Sequence, residues 1–248
     1  MKFLLLWLEA PLQSWGYDSR FDLRQTFSFP TKSGVYGILL ASSGDSGPQC
    51  ELLHRMKDAP FTAVSLVSKE PEAQTGQSDT LCDYQVVGNG YDRSNKWSAL
   101  HIPRKPDGGI ATASGGPYGG AKLTYRYYLQ DQKFAVILGL EDDLAEKFAA
   151  SLAAPVFDLY LGRKCCVPTD FIFRGTFDSE EDAKTEMLRI AGEKQLRPDK
   201  KLIQVDVSAD ALIDDGFFLT DVPLQFGPVK RYADRLVQIV DLSEETAD

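Results

Sequence analysis

Between residues 91 and 118 four rings, Tyr91, Trp97, His101 and Tyr118, interleave with four cations, Arg93, Lys96, Arg104 and Lys105. Rings that stack bases, beside side chains that neutralise phosphates, are the composition of a surface for single-stranded nucleic acid. Glycines at 108, 109, 115, 116, 119 and 120 make the segment pliable; they lack the strand–turn–helix context of a nucleotide loop. Part of it is expected to order only on contact with RNA or a neighbouring chain. Downstream, Gly162-Arg163-Lys164 joins a flexible residue to two cations, and Arg163 can fork onto one phosphate as a lysine cannot. A plain surface turn is the competing reading. Thr31-Lys32-Ser33-Gly34 falls at a predicted helix start, where free N–H groups and the helix dipole favour an anion. Lys32 is expected to add a mobile charge there, with simple N-capping by Thr31 as the alternative. The spacing is not that of a Walker A loop. Gln13-Ser14-Trp15-Gly16 offers an amide, a hydroxyl and an indole, groups that hydrogen-bond or stack with unpaired bases. Trp15 reads equally well as a core anchor, and Gly16 is expected to hold a backbone angle that other residues resist. At Thr124–Tyr128, alternation puts Arg126 and Tyr128 on one face, which fits contact with RNA or a place in the core.

The charge balance is uneven. The net charge of −9 argues against a nucleic-acid partner, because counterion release needs lysine and arginine. From Arg93 to Arg126, however, six cations stand against Asp107 alone, whereas from Leu202 to Asp248 ten acids stand against Lys230, Arg231 and Arg235. A basic middle suits phosphate, and an acidic tail suits solubility or a protein partner; two solvated faces would look the same. Cys50, Cys82, Cys165 and Cys166 form no CxxC pair, and only His54 and His101 could join them. No metal site or cofactor is therefore expected; the thiols read as reduced and cytosolic, and the adjacent pair as small packing residues.

These residues need elements to position them. Phe3–Leu8 reads as a buried first strand; it is too short, and meets Glu9 and Pro11 too soon, for a secretory signal. No run reaches the length of a membrane span. Thr31 caps a helix expected to end near Gly44, followed by a short helix around Leu52–Met56. Phe61–Val67 alternates as a strand, Lys69–Thr80 reads as a loose loop, and Asp83–Val87 as another strand. Residues 88–123 form an inserted arm. Thr124–Leu129 and Phe134–Leu140 are expected to pair as a hairpin about Gln130-Asp131-Gln132, before a helix over Asp142–Leu152. Leu159–Leu161 reads as a strand, Ser179–Ile190 as a helix, and Leu202–Val207, Phe217–Leu219 and Arg235–Val240 as strands. The order is compatible with a split βαβ, ferredoxin-like α+β unit: residues 1–160 as the main domain, and 161–248 as a smaller β-rich lobe packed on it.

Four collinear stretches carry a resemblance. Leu8-Glu9-Ala10-Pro11-Leu12-Gln13-Ser14-Trp15-Gly16, Phe29-Pro30-Thr31-Lys32-Ser33-Gly34-Val35-Tyr36-Gly37, Tyr160-Leu161-Gly162-Arg163-Lys164-Cys165-Cys166 and Val222-Pro223-Leu224-Gln225-Phe226 together resemble the CasD family. Its members are RNA-binding subunits of the type I-E CRISPR complex Cascade. The resemblance implies an RRM-like fold of the RAMP superfamily with the insertion as a thumb. It also implies a non-catalytic, cytoplasmic role in antiviral defence: capping the 5′ handle of the guide crRNA, with the thumb reaching the adjacent backbone subunit and the acidic C-terminal lobe docking the large subunit. Gln13, Ser14, Trp15, Lys32, Ser33, Arg93, Lys96, Arg104, Lys105, Arg126, Arg163 and Lys164 are the expected RNA contacts. The rival reading is a metal-independent endoribonuclease that processes repeat RNA, for which His101, Lys105 and Tyr118 are the available acid–base groups.

Overall fold

A strand that is apolar at every position is stable only when both of its faces are covered. In the computed structural model, which describes residues 1–17, 19, 22–70, 79–87, 122–205 and 215–242, the opening run forms β1 (Lys2–Glu9). Its side chains divide between two cores: Leu4, Leu6 and Leu8 face one, Leu5 and Trp7 the other. Four two-residue strands follow, β2 (Leu12–Gln13), β3 (Trp15–Gly16), β4 (Leu23–Arg24) and β5 (Thr26–Phe27). Then come α1 (Lys32–Ser43), α2 (Cys50–Met56), β6 (Phe61–Ser68), β7 (Thr80–Val87), β8 (Lys122–Gln130), β9 (Lys133–Leu140) and α3 (Asp142–Ala153). The chain continues through β10 (Phe173–Phe177), α4 (Glu180–Glu193), β11 (Leu196–Gln204), β12 (Phe217–Gln225) and β13 (Arg231–Asp241). The fold is mixed, with antiparallel pairing dominant.

Seven strands form one sheet in the order β10-β1-β9-β6-β11-β13-β12. Val35, Ile38 and Leu39 of α1 and Leu144, Ala145 and Phe148 of α3 fill the core on one face. On the other face α4 places Ala183, Met187 and Ile190, one stripe at helical spacing, against Leu5 and Trp7. Helix ends follow local chemistry: Thr31 and Ser179 accept hydrogen bonds from the backbone N–H groups of Gly34 and Asp182. Asp142 and Asp143 lie in the first turn of α3, where the helix dipole favours acids.

Three expectations are corrected. First, the segments expected to form a hairpin about Gln130–Gln132 do not pair with each other; β9 lies in the large sheet and β8 in a separate four-stranded one with β2, β4 and β7. Instead β9 and β8 act as one bent strand against β1 and β2, keeping one antiparallel register from Lys2↔Leu140 through Glu9↔Lys133 to Gln13↔Leu129. Asp131, at φ 50°, takes the corner. Paired with both β1 and β6, the apolar β9 lies inside the large sheet, where its residues from Phe134 to Leu138 are buried. Second, the strands beyond residue 160 do not pack on the first unit as a lobe. β10 joins the β1 edge, and β11, β13 and β12 extend the sheet from β6. Third, Leu159–Leu161 is an irregular segment without strand pairing, while β10 had no clear alternation to announce it. β7 and β8 do pair, from Thr80↔Leu129 to Val87↔Lys122. The segment 88–121 that joins them lies outside the described residues.

The far end of the sheet curls onto the start of α1. Asp221 of β12 accepts from the backbone N–H of Lys32 at 2.7 Å and holds the Arg235 guanidinium of β13 at 2.7 and 2.9 Å. The anion at this helix start is thus an internal carboxylate. Lys32 is fully buried, and its Nζ donates to the carbonyls of Lys57 at 2.8 Å and Ala59 at 2.9 Å. The mobile surface charge expected of Lys32 is therefore corrected to a fixed internal one. Burial first, then Arg235, pull its ammonium down to about 8, against the opposite pull of Asp221 and Asp58. Below pH 8 both the folded and the unfolded chain hold this proton. Between about 8 and the ordinary value of 10.5 only the unfolded chain does, so this group's contribution to stability rises with pH. Wild type should gain on Lys32→Met by on the order of 2 kcal/mol between pH 7 and pH 9.5 in denaturant unfolding. Parallel pH profiles would contradict this burial.

Candidate nucleic-acid interface

Where the ribbon bends, Gln13 completes the hydrogen bonding that the ladder cannot. Its buried amide donates to the carbonyls of Leu8 at 3.1 Å and Gln132 at 2.6 Å, and its oxygen accepts from the Trp15 indole at 3.2 Å. Trp15 is fully buried, with its ring against Gly34: a Cβ on that glycine would lie 2.8 Å from the ring. Of its two readings, the core anchor is the one the structure has. Ser14 is buried as well. Gln13, Ser14 and Trp15 therefore build the corner and leave no side chain at the surface for a base.

What the corner carries is the loop that follows α3. The backbone N–H of Ser14 donates to the Leu161 carbonyl at 3.0 Å, and Leu161 and Cys166 close a turn at 2.8 Å. Gly162, at φ 103°, crosses Ser14 so closely that a Cβ would sit 1.8 Å from the Ser14 carbonyl oxygen. The glycine with a forced angle is this one; Gly16 has open space around it. The turn aims Arg163 across β8. Its Nη1 donates to the Tyr127 carbonyl at 3.2 Å and its Nη2 to the Arg24 carbonyl at 2.8 Å. The guanidinium lies 4.5 Å from the centre of the Tyr128 ring. Burial and the Cys165 thiol raise the Tyr128 hydroxyl, against the pull of Arg163, so the platform is neutral. Cys165 is exposed and only Cys166 packs in the core, which corrects the expectation for the pair.

Arg24 and Arg126 are paired neighbours on the parallel strands β4 and β8. Lys164 is exposed beside Arg163. Asp83 is paired with Arg126 on the other side, but its carboxylate accepts from Gln85 at 2.5 Å. Among the described residues, none of Arg24, Arg126, Arg163 and Lys164 forms an ion pair. Like charges directly opposite each other on neighbouring strands repel; a phosphate between them would relieve that repulsion, and a pre-oriented arginine suits the contact. Arg163 thus reaches the strand that carries Arg126, with Lys164 next to it in the chain. Arg24 has no sequence signal and is recruited only by strand pairing. Ser33 lies apart from this cluster, half-buried in the first turn of α1. Arg93, Lys96, Arg104 and Lys105 lie outside the described residues, as do His101 and Tyr118.

A family model described as CRISPR-associated protein (Cas_Cas5) matches residues 3–237. The chain belongs to this CRISPR-associated family. It is similar to the CRISPR system Cascade subunit CasD of Escherichia coli (strain K12), 26% identical over 186 residues that cover 73% of this chain and 74% of the relative. A solved structure described as a CRISPR RNA-guided surveillance complex matches with a TM-score of 0.65 and 22% identity, over 96% of this chain and 89% of that one. Another, a crystal structure of a Cas protein, matches at 0.55 and 23%, over 98% and 96%. These two likenesses bear on the fold. The Cas5 family match runs through all four stretches that the sequence singled out, and three of them meet at the corner: Trp15 on Gly34, and Ser14 under Gly162.

Gly162→Ala should force the Arg163 turn off the corner. A loss of about 2–3 kcal/mol in denaturant unfolding is expected from the angle and the clash together. A variant as stable as wild type would contradict this packing.

Proposed function

We propose that this Cas5-family chain is a non-catalytic, RNA-binding subunit of a type I-E CRISPR interference complex (Cascade) in antiviral defence, acting in the cytoplasm. On this reading it caps the 5′ handle of the guide crRNA. The observation that carries it is the cluster of Arg24, Arg126, Arg163 and Lys164: a localised positive surface on an acidic chain, with Arg163 held ready over Tyr128. Similarity to a protein named as a Cascade subunit supports the setting. The succession β1-α1-β6-β9-α3-β10, with sheet order β10-β1-β9-β6, supports a ferredoxin-like, RAMP-type core. The β7–β8 pair is then the base of the inserted thumb, and the thumb is the contact for the adjacent backbone subunit. The acidic C-terminal part docks the large subunit. None of the helices among the described residues is long and apolar enough to cross a membrane.

Labelled handle RNA titrated with the full chain over a salt series tests the reading. Wild type should bind without cutting, with affinity falling as salt rises. Arg163→Glu combined with Arg126→Glu should weaken binding about tenfold or more and flatten the salt dependence, since each lost phosphate contact removes about 0.7 from the slope on single strands. Unchanged binding, or a discrete cut in repeat RNA without metal, would contradict the proposal.

A further inference from the structure

A second concave surface lies on the other side of the corner. Gly16 and Tyr17, Ser33 in the first turn of α1, and residues of β12 and β13 enclose a cavity of about 730 Å³. Phe218 is 68% exposed there, Tyr17 45% and Tyr232 38%. Three large rings left facing solvent around one groove lose the burial such rings normally gain, which marks a surface built for contact. Its charge is one-sided. Exposed Lys230 lines it, while the one acid on its wall among the described residues, Asp221, is buried and bound to Arg235. Phe218 also borders a neighbouring cavity of about 580 Å³, which makes the contrast: Asp58, Glu180 and Asp234 line it against Lys57 and Arg235, a balance that disfavours a polyanion on that side of the ring.

We infer that the groove of Tyr17, Phe218 and Tyr232 is a further subsite for single-stranded RNA, in which an unpaired base stacks on these rings while Lys230 neutralises an adjoining phosphate. The chemistry is that of a base-stacking platform with a single cation, and the volume suits one or two nucleotides. The groove is tied to the arginine cluster through the chain. β3 pairs with β5 at Trp15↔Phe27 and Gly16↔Thr26, and Arg24, whose carbonyl receives Arg163, lies two residues before Thr26. The Tyr17 ring lies 5.6 Å from Phe27, which lies 6.2 Å from Phe217, so the groove wall is fixed to that ribbon. Ser33, expected from the sequence to meet RNA, lines this groove. This inference rests on the RNA-binding reading above.

The test is the full chain titrated with single-stranded handle RNAs that carry 2-aminopurine at successive positions. Wild type should quench the probe at one or two positions. Phe218→Ala and Tyr17→Ala should each abolish that quench and weaken binding roughly fivefold or more, and Tyr17→Phe should restore it. Phe171→Ala, which removes a ring 83% exposed outside the groove, should leave both unchanged. At saturating RNA, Arg163→Glu should lower affinity but keep the quench. If wild type binds RNA and no quench depends on Tyr17 or Phe218, the subsite is wrong, the RNA-binding reading survives, and the groove is a protein-docking face. If wild type binds no RNA, both fall.

Discussion

The close passage of Gly162 over the Ser14 carbonyl is the constraint on which the rest of the candidate interface depends. It lets an irregular loop lie against the bent ribbon, where Ser14 and Leu161 share a hydrogen bond and Arg163 is delivered across β8. The corner beneath is rigid for its own reasons. Gln13 satisfies the carbonyls that the bend leaves open, and Trp15 is wedged against Gly34. Asp221 then fixes the start of the same helix to the far end of the sheet. Removing one partner of a buried ion pair such as Asp221–Arg235 typically costs about 3–5 kcal/mol, so the two ends of the chain are held together through α1.

Electrostatics separates the surfaces on this frame. The chain carries −9 overall, yet among the described residues the cations at the corner form no ion pair, and several acids are already engaged. Asp221 is consumed internally, Glu141 and Asp143 hold Arg55, and Glu9 and Asp170 hold Lys194. A polyanion would therefore be drawn to the arginine cluster despite the net charge, with a strong dependence on ionic strength.

Most of the regular elements were legible in the sequence. Thr31 and Ser179 announce their helices, and the unbroken apolar run of β1 announces burial on both faces. The pairing of β8 and β9 was not legible, because Gln130-Asp131-Gln132 carries turn residues whether the strands fold back or bend around a corner. Nor was the joining of β10, β11, β12 and β13 to the sheet of β1, since edge-to-edge extension leaves no local pattern. At the candidate site, residue type pointed to chemistry but not to exposure. Arg163 and Lys164 lie at the surface, whereas Lys32, Gln13 and Trp15, with equally suitable side chains, are buried. Gly162 rather than Gly16 carries the forced angle, a distinction that depends on a contact 148 positions away in the chain. Arg24, Tyr17 and Phe218 acquire their places only through strand pairing.

The most direct measurement is photocrosslinking of a guide RNA that carries 4-thiouridine in its 5′ handle to this chain within the assembled ribonucleoprotein, followed by peptide mapping. The account predicts crosslinks in the peptides spanning residues 12–27, 122–130 and 159–166. Crosslinks confined to α4 and β10 would contradict it.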